Sequence, residues 1–176
     1  IESELIDIFL ETNEKETKNK NINHGSIKPS RDLLKNEKEM LPLSKSIRKV
    51  AVIGPNAEEK KQLICRYGPA NAPIKTVFQG IKEMLPDAEV VYRKGCDIID
   101  PHFPESEILD FPKTEEESRL MDEAVAAAQN AEVAIMVLGG NELTVREDRS
   151  RTSLELPGRQ EELLKAVMGT GTPVVL

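Results

Sequence analysis

The run Val50-Ala51-Val52-Ile53 carries no polar residue on either side of a pleated strand. Strands exposed on one face alternate apolar and polar residues, so an unbroken apolar run predicts a strand covered on both faces, as in a parallel sheet. Val133 to Leu138 repeats the pattern, Glu89-Val90-Val91-Tyr92 is a shorter version, and Pro173-Val174-Val175-Leu176 opens a fourth strand. Helical patterns fall between them. Thr76 to Leu85 places Val77, Ile81 and Leu85 on one face. Glu115 to Asn130 has Thr114 as its N-cap, acidic residues in its first turn, and Leu120, Ala124 and Ala128 beside Met121 and Val125 as its apolar stripe. Arg159 to Val167 forms a further helix, closed by Gly169-Thr170-Gly171, and Ala57 to Cys65 is read as another. Strand and helix in alternation predict an α/β fold: a largely parallel sheet flanked by helices on both faces, an α/β sandwich cut short at its C-terminus. Right-handed crossovers then put every strand's carboxyl end on one edge.

Residues 1–30 differ. They are rich in Lys, Asn, Glu and Thr and nearly free of apolar periodicity after Leu10, so they are read as a linker or disordered arm, with a short helix at Ile1 to Leu10. The folded domain is assigned to residues 31–176, with Leu33-Leu34 and Met40 to Leu43 as its first apolar anchors. Within it, Cys96 to Pro112 holds three prolines and no clear period, which predicts a long loop.

Composition excludes several function classes. A net charge of −7 disfavours non-specific binding to nucleic acid or to anionic membranes. No apolar run approaches the length of a membrane span, and no signal peptide is visible at the acidic start IESELIDIFLETNEKE. Cys65 and Cys96 fit no metal spacing and read as small hydrophobes; His24 and His102 lie in loops without a partner at ligand spacing. The turn Gly54-Pro55-Asn56 follows the first strand, where a dinucleotide site would begin. Pro55 removes a backbone donor and no further glycines follow, so a plain strand-to-helix turn is expected. A flavodoxin-like phosphate or nucleotide binder is the reading this disfavours. No G-x-S-x-G elbow occurs, and no cofactor is implied.

The stretch most suited to chemistry is 139–158. The third strand ends in Gly139-Gly140, and a loop holding Asn141, Glu142, Arg146, Glu147, Asp148, Arg149 and Arg151 runs to Pro157-Gly158 at the next helix. Open α/β sheets place ligands beyond the carboxyl ends of their strands. A carboxyl here would suit the proton donor of a hydrolytic site, which must remain protonated near a leaving-group oxygen. Neighbouring arginines tend to lower a carboxyl pKa, so local sequence does not choose among Glu142, Glu147 and Asp148.

Several separate motifs occur together in one order: Leu33 to Leu43 (LLKNE…LPL), Val50-Ala-Val-Ile-Gly-Pro-Asn-Ala57, Tyr92…Lys94-Gly-Cys96, and Glu147…Arg151-Thr-Ser-Leu154-Glu-Leu156-Pro-Gly-Arg-Gln160. Over residues 32–176 these resemble the second domain of glycoside hydrolase family 3, which contains β-glucosidases, β-xylosidases and N-acetylglucosaminidases. The resemblance implies a retaining β-glycosidase whose preceding (β/α)8-type barrel carries the aspartate nucleophile, while a loop of pattern E-G-x-D-R-x-x-L-x-L-P-G supplies the acid/base. On this chain that Glu is Glu147, with Glu142 as alternative, and the Arg is Arg151; Asn141, Glu142 and Arg151 are the implied substrate contacts. Two positions depart: the pattern's Gly is Asp148 and its Asp is Ser150. The expected substrate is a terminal β-linked glucose or xylose of an oligosaccharide. The expected partner is the barrel, for no segment here matches the nucleophile motif and the 176-residue piece alone is expected to be inactive. The loop arginines are expected to pair with Asp148 and Glu142, leaving Glu147 available. Periplasmic or secreted placement follows from the family's habit alone. The alternative within the same enzyme type is a non-catalytic domain that shapes a sugar subsite or buttresses the barrel.

Overall fold

The computed structural model describes residues 36, 40–60, 73–147, 151 and 153–176. The 1–30 arm with His24, Leu33-Leu34, Cys65, Asp148 and Arg149 lie outside the described residues. Backbone proximity separates Ile1–Ser46 from Ile47–Leu176. In the first, the Asn36 side chain accepts from Leu41 N at 2.9 Å and donates to Leu41 O at 2.8 Å, fixing a turn before Pro42.

The second unit is a four-stranded, all-parallel sheet of order β2-β1-β3-β4, built from β1 (Lys49–Ile53), β2 (Glu89–Arg93), β3 (Val133–Met136) and β4 (Val174–Val175). Three helices connect and cover it: α1 (Val77–Met84), α2 (Glu115–Gln129) and α3 (Gln160–Met168). The α/β sandwich expected from the apolar runs is therefore the observed architecture. In β1 and β3 every apolar residue is buried, the signature of strands covered on both sides.

Strand periodicity divides the core into two layers. Ala51, Ile53, Ala134 and Met136 share one face with Cys96, Met121, Ala124, Ala128, Leu163 and Val167, so α2 and α3 lie together on that side. The alternate residues point to the opposite face. There Phe78 of α1 meets Tyr92, the register partner of Val52, with ring centroids 5.6 Å apart. The abundance of Ala on α2 lets that helix approach the sheet closely. The same stripe carries Glu117, whereas Leu120 and Val125, expected within it, are only half-buried.

Both Thr76 and Thr114 act as N-caps in full capping boxes, each hydroxyl accepting from the backbone three residues on and the Gln79 or Glu117 side chain answering to the cap N–H. One expected element differs. Ala57-Glu58 belong to a turn and residues 59–60 are irregular, while 61–65 lie outside the described residues. The Ala57 N–H reaches back to Gly54 O at 3.2 Å, closing a β-turn instead of starting a helix.

Cys96 is buried, and burial pushes its thiol pKa up to about 12, with Asp97 adding to the effect. It is a core residue, as its spacing suggested.

Candidate functional site

The strand order reverses between β1 and β3, the topological switch point where such sheets form crevices. Here the backbones close in on each other. Val137 N donates to Ile53 O at 2.7 Å, and Gly54 N to Arg93 O at 3.1 Å. A Cβ on Gly54, which has φ +130°, would lie 2.3 Å from Val137 O. Only glycine fits, and the reason is packing against β3, not a phosphate.

The loop that leaves β3 is fixed at its root by two amide side chains. Asn56 Nδ2 donates to Gly139 O at 3.2 Å. Gln160 Oε1 accepts from Gly139 N at 2.7 Å, while its Nε2 donates to Gly139 O at 3.1 Å and reaches Ile98 O at 3.5 Å. Gln160 is fully buried. It answers both the N–H and the carbonyl of Gly139, where no strand partner exists. Gln160, Leu163 and Val167 form one buried stripe of α3 at helical spacing. A polar residue at the head of an apolar stripe was the signal in the sequence that could have marked it.

Beyond the root, Asn141 builds a tight turn. Its Oδ1 accepts from Leu143 N at 2.8 Å, and its carbonyl accepts from Thr144 N and Val145 N at 2.9 and 3.0 Å. The buried Thr144 hydroxyl closes the turn, accepting from Asn141 N and donating to Asn141 O. Glu142 is half-buried. Glu147 is exposed, and among the described residues no hydrogen bond or ion pair engages its carboxylate.

Arg151 finds a partner from another loop. Its Nε meets Glu107 Oε1 at 2.6 Å, with both side chains largely buried, and its Nη1 donates to Glu155 O at 2.6 Å. Glu107 was not among the partners expected for the loop arginines, which were Asp148 and Glu142. Glu107 carried no sequence signal; it lies in the proline-rich stretch that reads only as loop. That stretch is ordered by its own polar contacts. Asp100 accepts from His102 N at 2.8 Å and from Ser106 Oγ at 2.6 Å, ahead of a 3-10 turn at Glu105–Glu107. The His102 ring stacks on Phe111 with centroids 4.1 Å apart.

The second clamp is Arg159, whose Nη2 donates to Phe111 O at 2.6 Å and whose Nε lies 3.3 Å from Glu117. Burial pushes the Glu117 carboxyl up, but hydrogen bonds from the Thr114 backbone and hydroxyl and from Arg159 outweigh it and hold the pKa below its ordinary value. Gly158, at φ +57°, brings its backbone so near that a Cβ would sit 3.1 Å from Ile98 O. Pro157-Gly158 is thus the point where α3's start packs onto the 97–113 loop.

Two depressions bear on a site. One of about 250 Å³ is bounded by Ser106, Glu107, Phe111, Gly158 and Arg159, at the seam of the two loops. A larger one of about 420 Å³ runs between β2 and α2 beside Glu89, Val91, Glu123 and Asn130, away from the loops that leave the carboxyl ends. The smaller lies beside Glu107 and Arg159. Five exposed apolar side chains, Ile108, Leu109, Leu143, Val145 and Leu154, stand on the same two loops. Among the described residues no cluster of His, Cys, Asp or Glu could hold a metal ion, and no helix is long and apolar enough to cross a membrane.

Known proteins resemble this chain. The periplasmic beta-glucosidase of Salmonella typhimurium is 36% identical over 157 residues, covering 82% of this chain and 20% of its own length. Probable beta-D-xylosidase 7 of Arabidopsis thaliana is 36% identical over 148 residues, covering 82% of this chain and 17% of its own. The solved structure of a β-glucosidase from Erythrobacter marinus superposes with a TM-score of 0.63 at 34% identity, over 80% of this chain and 21% of that one. The chain thus spans about a fifth of the length of the relatives it matches. The model of the glycosyl hydrolase family 3 C-terminal domain matches residues 33–176, and the chain belongs to that family.

Proposed function

We propose that this chain is part of a retaining β-glycosidase acting on terminal β-linked glucose or xylose, and that it contributes the acid/base, Glu147. Residues 31–176 would form the contributing domain, with 1–30 as the arm that leads into it. The observation that carries this reading is the contrast within one loop. Gly139 and Arg151 are tied down by Gln160, Asn56 and Glu107, while Glu147 between them is exposed and unengaged among the described residues. A fixed frame with one available carboxylate suits a group that must meet a substrate held by another domain. The relatives named for β-glucosidase and β-xylosidase activity support the substrate class.

Retention requires two carboxyl groups about 5–5.5 Å apart, one on each side of the scissile bond. The barrel of the whole enzyme would bring the aspartate nucleophile. As that aspartate bonds to the anomeric carbon, the C–O bond breaks and its electron pair passes to the leaving oxygen. Glu147 gives that oxygen its proton, then takes one from the water that releases the sugar. Covering by the barrel would desolvate Glu147 and favour the protonated form that the first step needs. Ile108, Leu109, Leu143, Val145 and Leu154 suit burial against such a neighbour. Asn141 and Glu142 are the proposed sugar contacts. Arg151, held by Glu107 and Glu155, is the third proposed contact. Periplasmic or secreted placement is proposed with the Salmonella relative, which is named as periplasmic.

In the full-length enzyme, Glu147→Gln should lower kcat/KM on substrates with poor leaving groups by about 10²–10⁴-fold and flatten the basic limb of the pH–rate profile. Azide should restore turnover to Glu147→Ala by attacking the glycosyl-enzyme without a general base. The departures at Asp148 and Ser150 favour one second reading, a domain that shapes a subsite while the acid comes from elsewhere. Absence of rescue, with an unchanged pH profile, would establish that reading instead. The 176-residue piece alone should not turn over an aryl β-glycoside.

A further inference from the structure

We propose that Glu107 is a positioning residue for the acid/base step, acting through Arg151; this rests on Glu147 being the acid. The 3-10 turn that bears Glu107 is held from within by Asp100, which engages both His102 N and Ser106 Oγ. From this fixed point the Glu107 carboxylate takes Arg151 Nε at 2.6 Å. The two side chains are only 11% and 13% exposed, so solvent screens the pair little. The same guanidinium takes the Glu155 carbonyl at 2.6 Å, so one planar group fixes two points of the returning half of the acid loop. Arg151 lies four residues beyond Glu147, within the same loop. The outgoing half is fixed separately, at Gly139, by Gln160 and Asn56. Without Glu107 the loop would retain its root and lose its return anchor. Glu147 would remain chemically competent but would sample more positions than the proton transfer tolerates.

A misplaced acid has a kinetic signature that simple loss of folded protein lacks. A 2,4-dinitrophenolate leaves without a proton, whereas a phenol or an alcohol needs one as the C–O bond breaks. Kinetics of the full-length enzyme on 2,4-dinitrophenyl and phenyl β-glycosides, normalised by active-site titration, read this directly. For Glu107→Gln we expect kcat/KM on the phenyl glycoside to fall about tenfold to a hundredfold, a part of what general acid catalysis supplies. The dinitrophenyl substrate should change less than about threefold. Glu147→Gln, run in parallel, should show the same split more strongly. Equal losses on both substrates for Glu107→Gln, or none, beside a clear split for Glu147→Gln, would overturn the role of Glu107 and leave Glu147 standing. No split for Glu147→Gln would remove the acid and its positioning residue together. Should Glu107→Gln give no folded enzyme, Ser106→Ala, which frees the turn bearing Glu107 from Asp100, carries the same comparison.

Discussion

The strand–helix frame and the loops at its carboxyl edge are held by different physics. In the frame, Ala51, Ile53, Ala134 and Met136 meet Met121, Ala124, Leu163 and Val167 in one apolar layer, and burial of apolar surface is the main stabilising term. In the loops few apolar side chains are buried, Ile98 and Pro157 among them. Order there comes from pairwise polar matches: Gln160 with Gly139, Arg151 with Glu107, Arg159 with Phe111 O, Asp100 with Ser106. Among the described residues no buried side-chain polar atom lacks a partner, so these matches are complete. A hydrophobic layer tolerates many sequences that keep its pattern. A polar match depends on the particular pair. The candidate loop is thus built from interactions that few substitutions can replace, on a frame that many sequences could supply.

Two substitutions on α3 separate these regimes, because that helix serves both. Leu163→Ala removes a fully buried side chain from the apolar layer and should destabilise the intact protein by about 4 kcal/mol. Hydrogen exchange at the amides of β1 and β3 would report it, with protection lost across the whole sheet. Gln160→Leu keeps the volume, strands the Gly139 N–H and leaves the Gly139 carbonyl to Asn56 alone. It should cost about 2 kcal/mol, with protection lost at the loop root and retained in β1. If both variants lost protection in the same places, frame and loop would be one cooperative unit and the contrast would fail.

The difference also explains what the sequence disclosed. The strands at Val50 and Val133, the capped helix after Thr114 and the doubly covered sheet follow from periodicity and capping chemistry, which act over neighbouring residues. The expected turn at Gly54-Pro55-Asn56 is equally local. Motif spacing singled out Glu147 and Arg151 as the residues to watch. What periodicity could not carry was partnership at a distance. Glu107 and Arg151 stand 44 residues apart, and Arg159 and Phe111 48, joined only because two crossovers bring their loops to one edge. Glu117 on the buried stripe of α2 went unnoticed for a related reason: besides the Thr114 cap it is engaged by Arg159, which the helical pattern of α2 does not contain. Gln160 was legible in principle, as an amide heading an apolar stripe.

Glu117 offers the finest test, since it belongs to both regions. It completes the Thr114 capping box of the frame and receives Arg159 from the loop edge. Its pKa lies below the ordinary 4.5, so the native state favours the ionised form. The resulting stabilisation is fully present above about pH 5 and is lost as pH falls through the native pKa. Glu117→Gln retains an acceptor for the cap N–H but removes the charge. It should lower stability modestly at neutral pH and make the decline below about pH 5 shallower, read as the unfolding midpoint against pH. Once the pH has fallen below the native pKa of Glu117, variant and parent should converge. If the gap stayed constant throughout the acid decline, the helix cap alone would account for Glu117, and its charge pairing with Arg159 would contribute nothing to the join between frame and loop.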